Sequence, residues 1–262
     1  MENRKIKKVI FLGRKNRAVE AIKYLIDKDI DIAAIVGVEI DPYHLQLSKL
    51  AEENKIPFFL DEAILYKLIK SRKNFDAIDL VISYLYPKKI KYPLIKLGKR
   101  GCINFHPAPL PDYKSSAGYN IAILEERKEF GVSVHFIDSE EFDDGPIIKV
   151  SKFVISDSEN IMSLYKKTQE KLIELFKETI KLFKSGKEIK TFKNKGGLYL
   201  NRKQLEELKT VDLKKDDLET INRKIRAFFF PPYTGAKVRV GNQDITLVND
   251  KLLKYLDRII KK

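Results

Sequence analysis

The sequence predicts an α/β protein built on a Rossmann-like, doubly wound, mostly parallel sheet, with a small C-terminal appendage of helices and a β-hairpin. Three observations predict it. Short apolar runs such as Lys8-Val9-Ile10-Phe11-Leu12 recur along the first half of the chain, as buried strands of a parallel sheet do. Between them lie segments whose apolar residues repeat at helical spacing, as in a βαβ succession. One of the runs, Cys102-Ile103-Asn104-Phe105-His106, carries two polar residues on one face and meets Pro107 and Pro109 at once. Prolines cannot donate to a ladder, so that strand must end there.

Taken in order, residues 8–12 read as the first strand, closed by Gly13, and Asn16 is placed to cap a helix with Ala18, Ala21, Ile22, Leu25 and Ile26 on one stripe. Residues 32–38 are the second strand. Asp41-Pro42 reads as a helix start, a capping residue followed by proline at the first helical position, for a helix reaching Asn54. Residues 56–60 give a third strand, Asp61 caps the next helix, 79–85 is the fourth strand, 90–97 a helix and 102–106 the fifth strand. A helix over 117–126 and strands over 132–137 and 146–155 precede a long helix over 158–184, with Leu164, Leu172, Phe176 and Ile180 turned inward. Ser185-Gly186 ends it and sets a boundary between a catalytic domain, 1–186, and a subdomain, 187–262. The subdomain is expected to hold helices at 202–208 and 216–227, the aromatic run Phe228-Phe229-Phe230-Pro231-Pro232-Tyr233, and a hairpin of 237–240 with 244–248 turning at Gly241-Asn242.

Composition narrows the class. The chain has 262 residues and a formal charge of +14. A polyanionic partner such as tRNA is one reading of that charge. The lysines are spread over every segment with no block of five or six, which favours a solvated surface. No apolar run approaches the roughly 18 residues of a membrane span, and residues 9–12 are too short an apolar run for a signal peptide. The single Cys102 excludes an internal disulfide and a cysteine-rich metal site. A cytoplasmic protein without a membrane partner is expected.

In doubly wound sheets ligands bind outside the carboxyl ends of the strands, where His106 is expected. The turn Gly13-Arg14-Lys15-Asn16-Arg17 lacks the GxGxxG dinucleotide fingerprint, which disfavours a nicotinamide or flavin enzyme. A basic turn at a helix N-terminus can still hold a phosphate. Downstream, Phe142-Asp143-Asp144-Gly145-Pro146 sets a carboxylate before a tight turn. Asn104, His106 and Asp143 together make an acyl-transfer site without a covalent nucleophile, and the spacing to Gly145 favours Asp143 over Asp144. His135, on a strand face with Ser133 and Ile137, is either a supporting polar group or a packed one. His44 sits early in a surface helix, and Cys102 reads as core.

Asn104-Phe105-His106-Pro107-Ala108-Pro109-Leu110-Pro111 together with Asp143-x-Gly145 resembles the 10-formyltetrahydrofolate-dependent formyltransferases. The resemblance spans roughly residues 5 to 185. Its HPAPLP form, with Gly196-Gly197-Leu198-Tyr199-Leu200-Asn201 and the Phe228–Tyr233 run, is most similar to the nucleotide-sugar N-formyltransferases. The alternatives are a methionyl-tRNA formyltransferase, against which the short C-terminal part speaks, and another formyl-folate-dependent formyltransferase or hydrolase sharing the triad. The resemblance implies catalysis by Asn104, His106 and Asp143 without a metal. It implies a folate site formed by Tyr84, Leu85 and Tyr86 with Asp138, Ser139, Glu140, Glu141 and Phe142. For the substrate it implies contacts from Arg14, Lys15, Asn16, Pro107, Phe230 and Tyr233. It further implies a homodimer and a dTDP-linked amino sugar destined for lipopolysaccharide. Two departures fall on loops bordering these sites: glycine is delayed to Gly118, and the stretch from His135 to Asp143 is one residue longer.

Overall fold

A computed structural model describes residues 5–71, 75–114 and 117–260. Residues 1–4, and Ser115 and Ser116 of the loop that delays the glycine, lie outside the described residues. In chain order the elements are β1 (Lys8–Gly13), α1 (Asn16–Asp27), β2 (Asp31–Val36), α2 (His44–Glu53), β3 (Phe58–Phe59), α3 (Glu62–Lys70), β4 (Leu80–Tyr84), α4 (Leu94–Leu97) and β5 (Cys102–His106). Then follow β6 (Tyr113–Lys114), α5 (Gly118–Leu124), β7 (Glu129–Phe136), β8 (Ile147–Val154), α6 (Ile161–Ser185), β9 (Leu198–Tyr199), α7 (Arg202–Leu208), α8 (Leu218–Phe228), β10 (Lys237–Val240), β11 (Gln243–Thr246) and α9 (Asp250–Ile260).

The main sheet runs β3-β2-β1-β4-β5-β7-β8, and its first five strands pair in parallel. β7 pairs antiparallel with β5, and β8 with β7. This is the Rossmann-like doubly wound α/β order the sequence predicts. One face packs Val9, Phe11, Ile82, Tyr84, Ile103 and Phe105 against α1, α2 and α6. The other packs Ile10, Leu12, Val81 and Cys102 against α3 and α4. Register sets Ser83 beside Asn104, and Asn104 beside His135. Three polar side chains from three adjacent strands are thereby stacked at the carboxyl end of the sheet.

Several boundaries differ from the sequence expectation, each for a local reason. Asn16 is the first residue of α1 and does not cap it; Lys15 occupies the cap position at φ 74 with no side-chain cap. Asp41 does not start α2 either. Its carboxylate accepts from the backbone N–H groups of Tyr43 and Lys15 and so ties two loops together ahead of His44. The helix expected over 90–97 shrinks to α4, because its first residues are turn backbone around Pro93. α6 begins at Ile161, where Asn160 and Ser163 form a reciprocal capping box. The second hairpin strand starts earlier than expected, at Gln243.

Residues after Gly186 fold back onto the sheet domain. Asn120 donates to the Ala227 carbonyl, and Phe228 joins a core with Tyr113, Ile121 and Leu164. The pairing of β6 with β9, and helix α9, are additions to the expected elements.

Candidate active site

β5 delivers Asn104 and His106 from its last turn of pleat, and the loop after β7 brings Asp143 to meet them. Asp143 Oδ1 lies 3.2 Å from His106 Nδ1 and accepts from Asn104 Nδ2 at 3.3 Å. The backbone of Asp143 is held at φ 51, in the left-handed region, which aspartate tolerates better than most residues. Two positions on, Gly145 lets the chain pass against β7: a Cβ there would stand 1.9 Å from the Phe136 carbonyl oxygen. That contact explains why the Asp-x-Gly spacing requires glycine.

His106 is buried, 4% exposed, and donates Nε2–H to the Tyr113 carbonyl at 2.9 Å. A carbonyl can only accept, so Nε2 is protonated and the ring offers Nδ1 to the carboxylate. Burial works against the imidazolium, but the charge and hydrogen bond of Asp143, with the Tyr113 carbonyl, outweigh it and raise the His106 pKa above its ordinary value. Burial likewise opposes the Asp143 carboxylate, and the charge and hydrogen bond of His106 reverse that, holding its pKa far below the usual carboxylate range.

The Asn104 amide is oriented from both ends. Ser83 Oγ donates to Asn104 Oδ1 at 2.8 Å. His135 Nδ1 faces the Phe136 carbonyl at 2.8 Å, so in the neutral ring the proton sits there and Nε2 accepts from Asn104 Nδ2 at 3.1 Å. Both amide protons are thus committed, one to His135 and one, by the longer bond, to Asp143. A carbonyl oxygen entering the site can take the longer one. The triad therefore offers an N–H pair for a developing oxyanion, a proton on His106 and a carboxylate beside both. Cys102 takes no part: it is buried in the core and burial pushes its thiol pKa well up.

A concavity opens on the Asn104–Asp143 side, lined by Ser83, Tyr86, Lys88, Ile90, Ile137, Glu140, Glu141 and Phe142. A second cluster is aromatic and joins α6 to the segment after α8. Tyr165 packs edge-on to Phe230 at 5.3 Å between centroids, and Phe230 against Tyr233 at 6.3 Å. Burial raises the Tyr165 hydroxyl pKa, and the Arg14 charge works against that rise.

Residues 7–180 match the Formyl transferase family. The chain belongs to that family. Among its relatives is the methionyl-tRNA formyltransferase of Kosmotoga olearia, 26% identical over 252 residues, covering 92% of this chain and 78% of the relative. The Thermotoga maritima enzyme of the same name is 25% identical and covers 96% and 84%. Among solved structures, a 4-N formyltransferase from Francisella tularensis superposes with a TM-score of 0.76 at 21% identity, over 93% of this chain and 97% of the other. The N-formyltransferase from Helicobacter canadensis, in complex with folinic acid and dTDP-3-aminofucose, gives 0.70 at 22% identity over 94% and 89%. These structures share the fold of this formyltransferase.

Of the residues expected around the formyltransferase site, Tyr86, Glu140, Glu141 and Phe142 line the concavity. Tyr84 does not. Period-two alternation turns it away from Ser83 into the aromatic core beneath the sheet, and its carbonyl accepts from the Arg14 backbone N–H. The Leu85 carbonyl is likewise taken, by Arg14 Nε at 2.7 Å. Asp138 and Ser139 lie on the outer side of their loop, in a groove with Lys114, Asp144 and residues 191–196. Lys15 and Asn16 stand at the start of α1, and Pro107 is half-buried beyond His106. Ser83, the Tyr113 carbonyl and Asn194 were not among the expected residues. A serine inside an apolar strand was the signal for the first; nothing in the sequence marks the other two.

Proposed function

We propose that this formyltransferase moves the formyl group of 10-formyltetrahydrofolate to the amine of a nucleotide-linked amino sugar, with a dTDP-sugar as the leading acceptor. The observation that carries the reading is the Asn104–His106–Asp143 triad opening onto a mixed apolar and charged concavity, with a separate aromatic cluster around Tyr165. The concavity combines an aromatic and aliphatic bed (Tyr86, Ile90, Ile137, Phe142) with lysines at its rim, which suits a flat heterocycle with an acidic tail. The second cluster joins Phe230 and Tyr233 to Tyr165, whose hydroxyl lies within reach of the Arg14 charge, and suits a stacked base followed by phosphates. The Helicobacter canadensis neighbour holds folinic acid and dTDP-3-aminofucose in one complex, and it supports both halves.

In the proposed reaction the acceptor nitrogen attacks the formyl carbon, and the electron pair moves to the formyl oxygen. Asn104 Nδ2–H and His106 Nδ1–H, each turning from the Asp143 carboxylate, meet that oxygen, each donor contributing about 3 kcal/mol. Asp143 accepts the proton shed by the amine, directly or through water, His106 gives one to the leaving nitrogen of the donor as the old C–N bond breaks, and the Asp143 proton then passes to His106 across their 3.2 Å contact. No step calls for a metal. We place catalysis in residues 1–186, within a cytoplasmic protein serving surface-polysaccharide assembly such as lipopolysaccharide. We further propose a homodimer through the exposed apolar residues of the last hairpin and α9, among them Val240, Ile245 and Ile259; a monomer by analytical ultracentrifugation rules that out.

A second reading, methionyl-tRNA formylation, is favoured by the names of the sequence relatives and permitted by the +14 charge. A thermal-shift screen with folinic acid, crossed with dTDP, UDP, GDP and tRNA, separates the two, since ligands of the native state raise Tm. Stabilisation by folinic acid and one nucleoside diphosphate supports the sugar enzyme. A response to folinic acid and tRNA alone replaces it with the tRNA enzyme.

A further inference from the structure

We propose that the segment 192–199, beyond the span that matches the family, is a strap that positions both His106 and Asp143, with Asn194 and Gly197 as its positioning residues. The inference rests on the catalytic reading of the triad but not on the identity of the acceptor. Its first anchor is a mutual backbone pair between Phe192 and Ile147, at 3.0 Å each way. Two residues later Asn194, 8% exposed, donates Nδ2–H to the Asp143 carbonyl at 2.9 Å and to the Gly145 carbonyl at 3.0 Å. One amide thereby grips the peptides on either side of the Asp-x-Gly turn. That turn is where Asp143 sits in the left-handed region, a conformation that persists when its surroundings over-determine it.

The second grip lies three residues on. Gly197 has φ +87, and a Cβ on it would fall 1.7 Å from the Pro111 carbonyl oxygen. Only glycine lets the strap press against the 111–114 segment so closely. Leu198 N–H then donates to the Asp112 carbonyl at 2.8 Å, and β9 pairs with β6 through Tyr113–Leu198. The Tyr113 carbonyl is the acceptor that holds His106 Nε2 at 2.9 Å. The imidazole is thus anchored on its far nitrogen by a strand that the strap itself pairs. Carboxylate and imidazole, brought by a loop and a strand, share one external brace, and their 3.2 Å contact depends on it. The Gly196-Gly197-Leu198-Tyr199 motif thereby has a physical role.

The test uses the full chain with Asn194→Ala and Gly197→Ala, and with Asp143→Asn as reference. NMR titration of the His106 ring needs no acceptor. Both strap variants should lower the His106 pKa relative to wild type while folinic acid still raises Tm. With 10-formyltetrahydrofolate and a dTDP-linked amino sugar, kcat should fall on the order of 10- to 100-fold with KM nearly unchanged, the signature of a misplaced reacting group. Should Gly197→Ala fail to fold, Asn194→Ala alone decides, because it removes two hydrogen bonds without adding bulk. A wild-type His106 titration and kcat in Asn194→Ala, with Asp143→Asn impaired, overturns the strap alone. Unimpaired Asp143→Asn overturns the triad beneath it.

Discussion

Asp143 and His106 form a buried pair, Oδ1 to Nδ1 at 3.2 Å, with side chains 10% and 5% exposed. Burial alone pushes a histidine pKa down and a carboxylate pKa up, and here both move the other way. The opposite charge therefore dominates. His106 should titrate above the ordinary 6.5 in the wild type and lower than wild type in Asp143→Asn, where the Tyr113 carbonyl alone opposes burial. NMR of the histidine ring checks this, and a His106 pKa unchanged by the substitution refutes it.

The same pair makes stability depend on pH. The raised His106 pKa contributes stability that is complete below 6.5 and is lost as pH rises through its folded value. The depressed Asp143 pKa contributes stability present above 3.8 and lost as pH falls through its folded value. The stability gap between wild type and Asp143→Asn should thus be widest between those two reference values and narrow on the alkaline side. Urea melts across that range measure it.

Asn104→Ala removes one oxyanion donor and should lower kcat by roughly 10²- to 10³-fold while folinic acid still raises Tm. Ser83→Ala keeps the amide but frees it to turn, since Ser83 Oγ is the donor to Asn104 Oδ1. It should cost about 1 kcal/mol of transition-state stabilisation, a smaller loss in the same direction. Equal losses in the two variants would mean that orientation, not donation, is what Asn104 supplies.

Asp143 and its neighbour Asp144 separate cleanly. Asp144 is 57% exposed and bridges to Lys114 at 2.8 Å, a surface pair whose net value is about 0–1 kcal/mol. Asp143→Asn should therefore abolish most turnover and Asp144→Asn little of it. Steady-state rates decide, and the reverse order transfers the catalytic role to Asp144.

Much of this arrangement was legible because it depends on short-range rules. Strand alternation put Asn104 and His106 on one face, and the prolines fixed where that face ends. The same alternation turns Tyr84 away from Ser83, so its place in the core was readable as well. The β6–β9 pairing was not readable, since two residues carry no period and their meeting depends on Gly197 reaching Pro111. Asn194 was equally hidden: an asparagine in a lysine-rich loop looks like solvent-facing chain until its carbonyl partners are known. Helix α9 carries a helical stripe of Leu252, Tyr255, Leu256 and Ile259, and so was legible in principle; only its docking through Leu252 was not. What sequence hides here is contact between segments far apart in the chain.

The aromatic core under β5 gives a last prediction, because it supports the site from behind. Phe176 of α6 is fully buried and packs against Phe105 at 5.0 Å, Tyr84 at 5.8 Å and Phe11 at 6.4 Å between ring centroids. Phe105 lies between Asn104 and His106 on the opposite face of the same strand. Phe176→Ala leaves a cavity beneath that strand and should destabilise the fold by about 3–5 kcal/mol, lowering Tm by roughly 10 °C. Ile40→Ala, 90% exposed between β2 and α2, should leave Tm within about a degree of wild type, because surface changes rarely exceed about 0.5 kcal/mol. Calorimetry on the two variants gives the comparison. A Phe176→Ala protein that melts with the wild type would mean the sheet does not lean on α6, and the rigidity of Asn104 and His106 would then have to come from β4 and β7 alone.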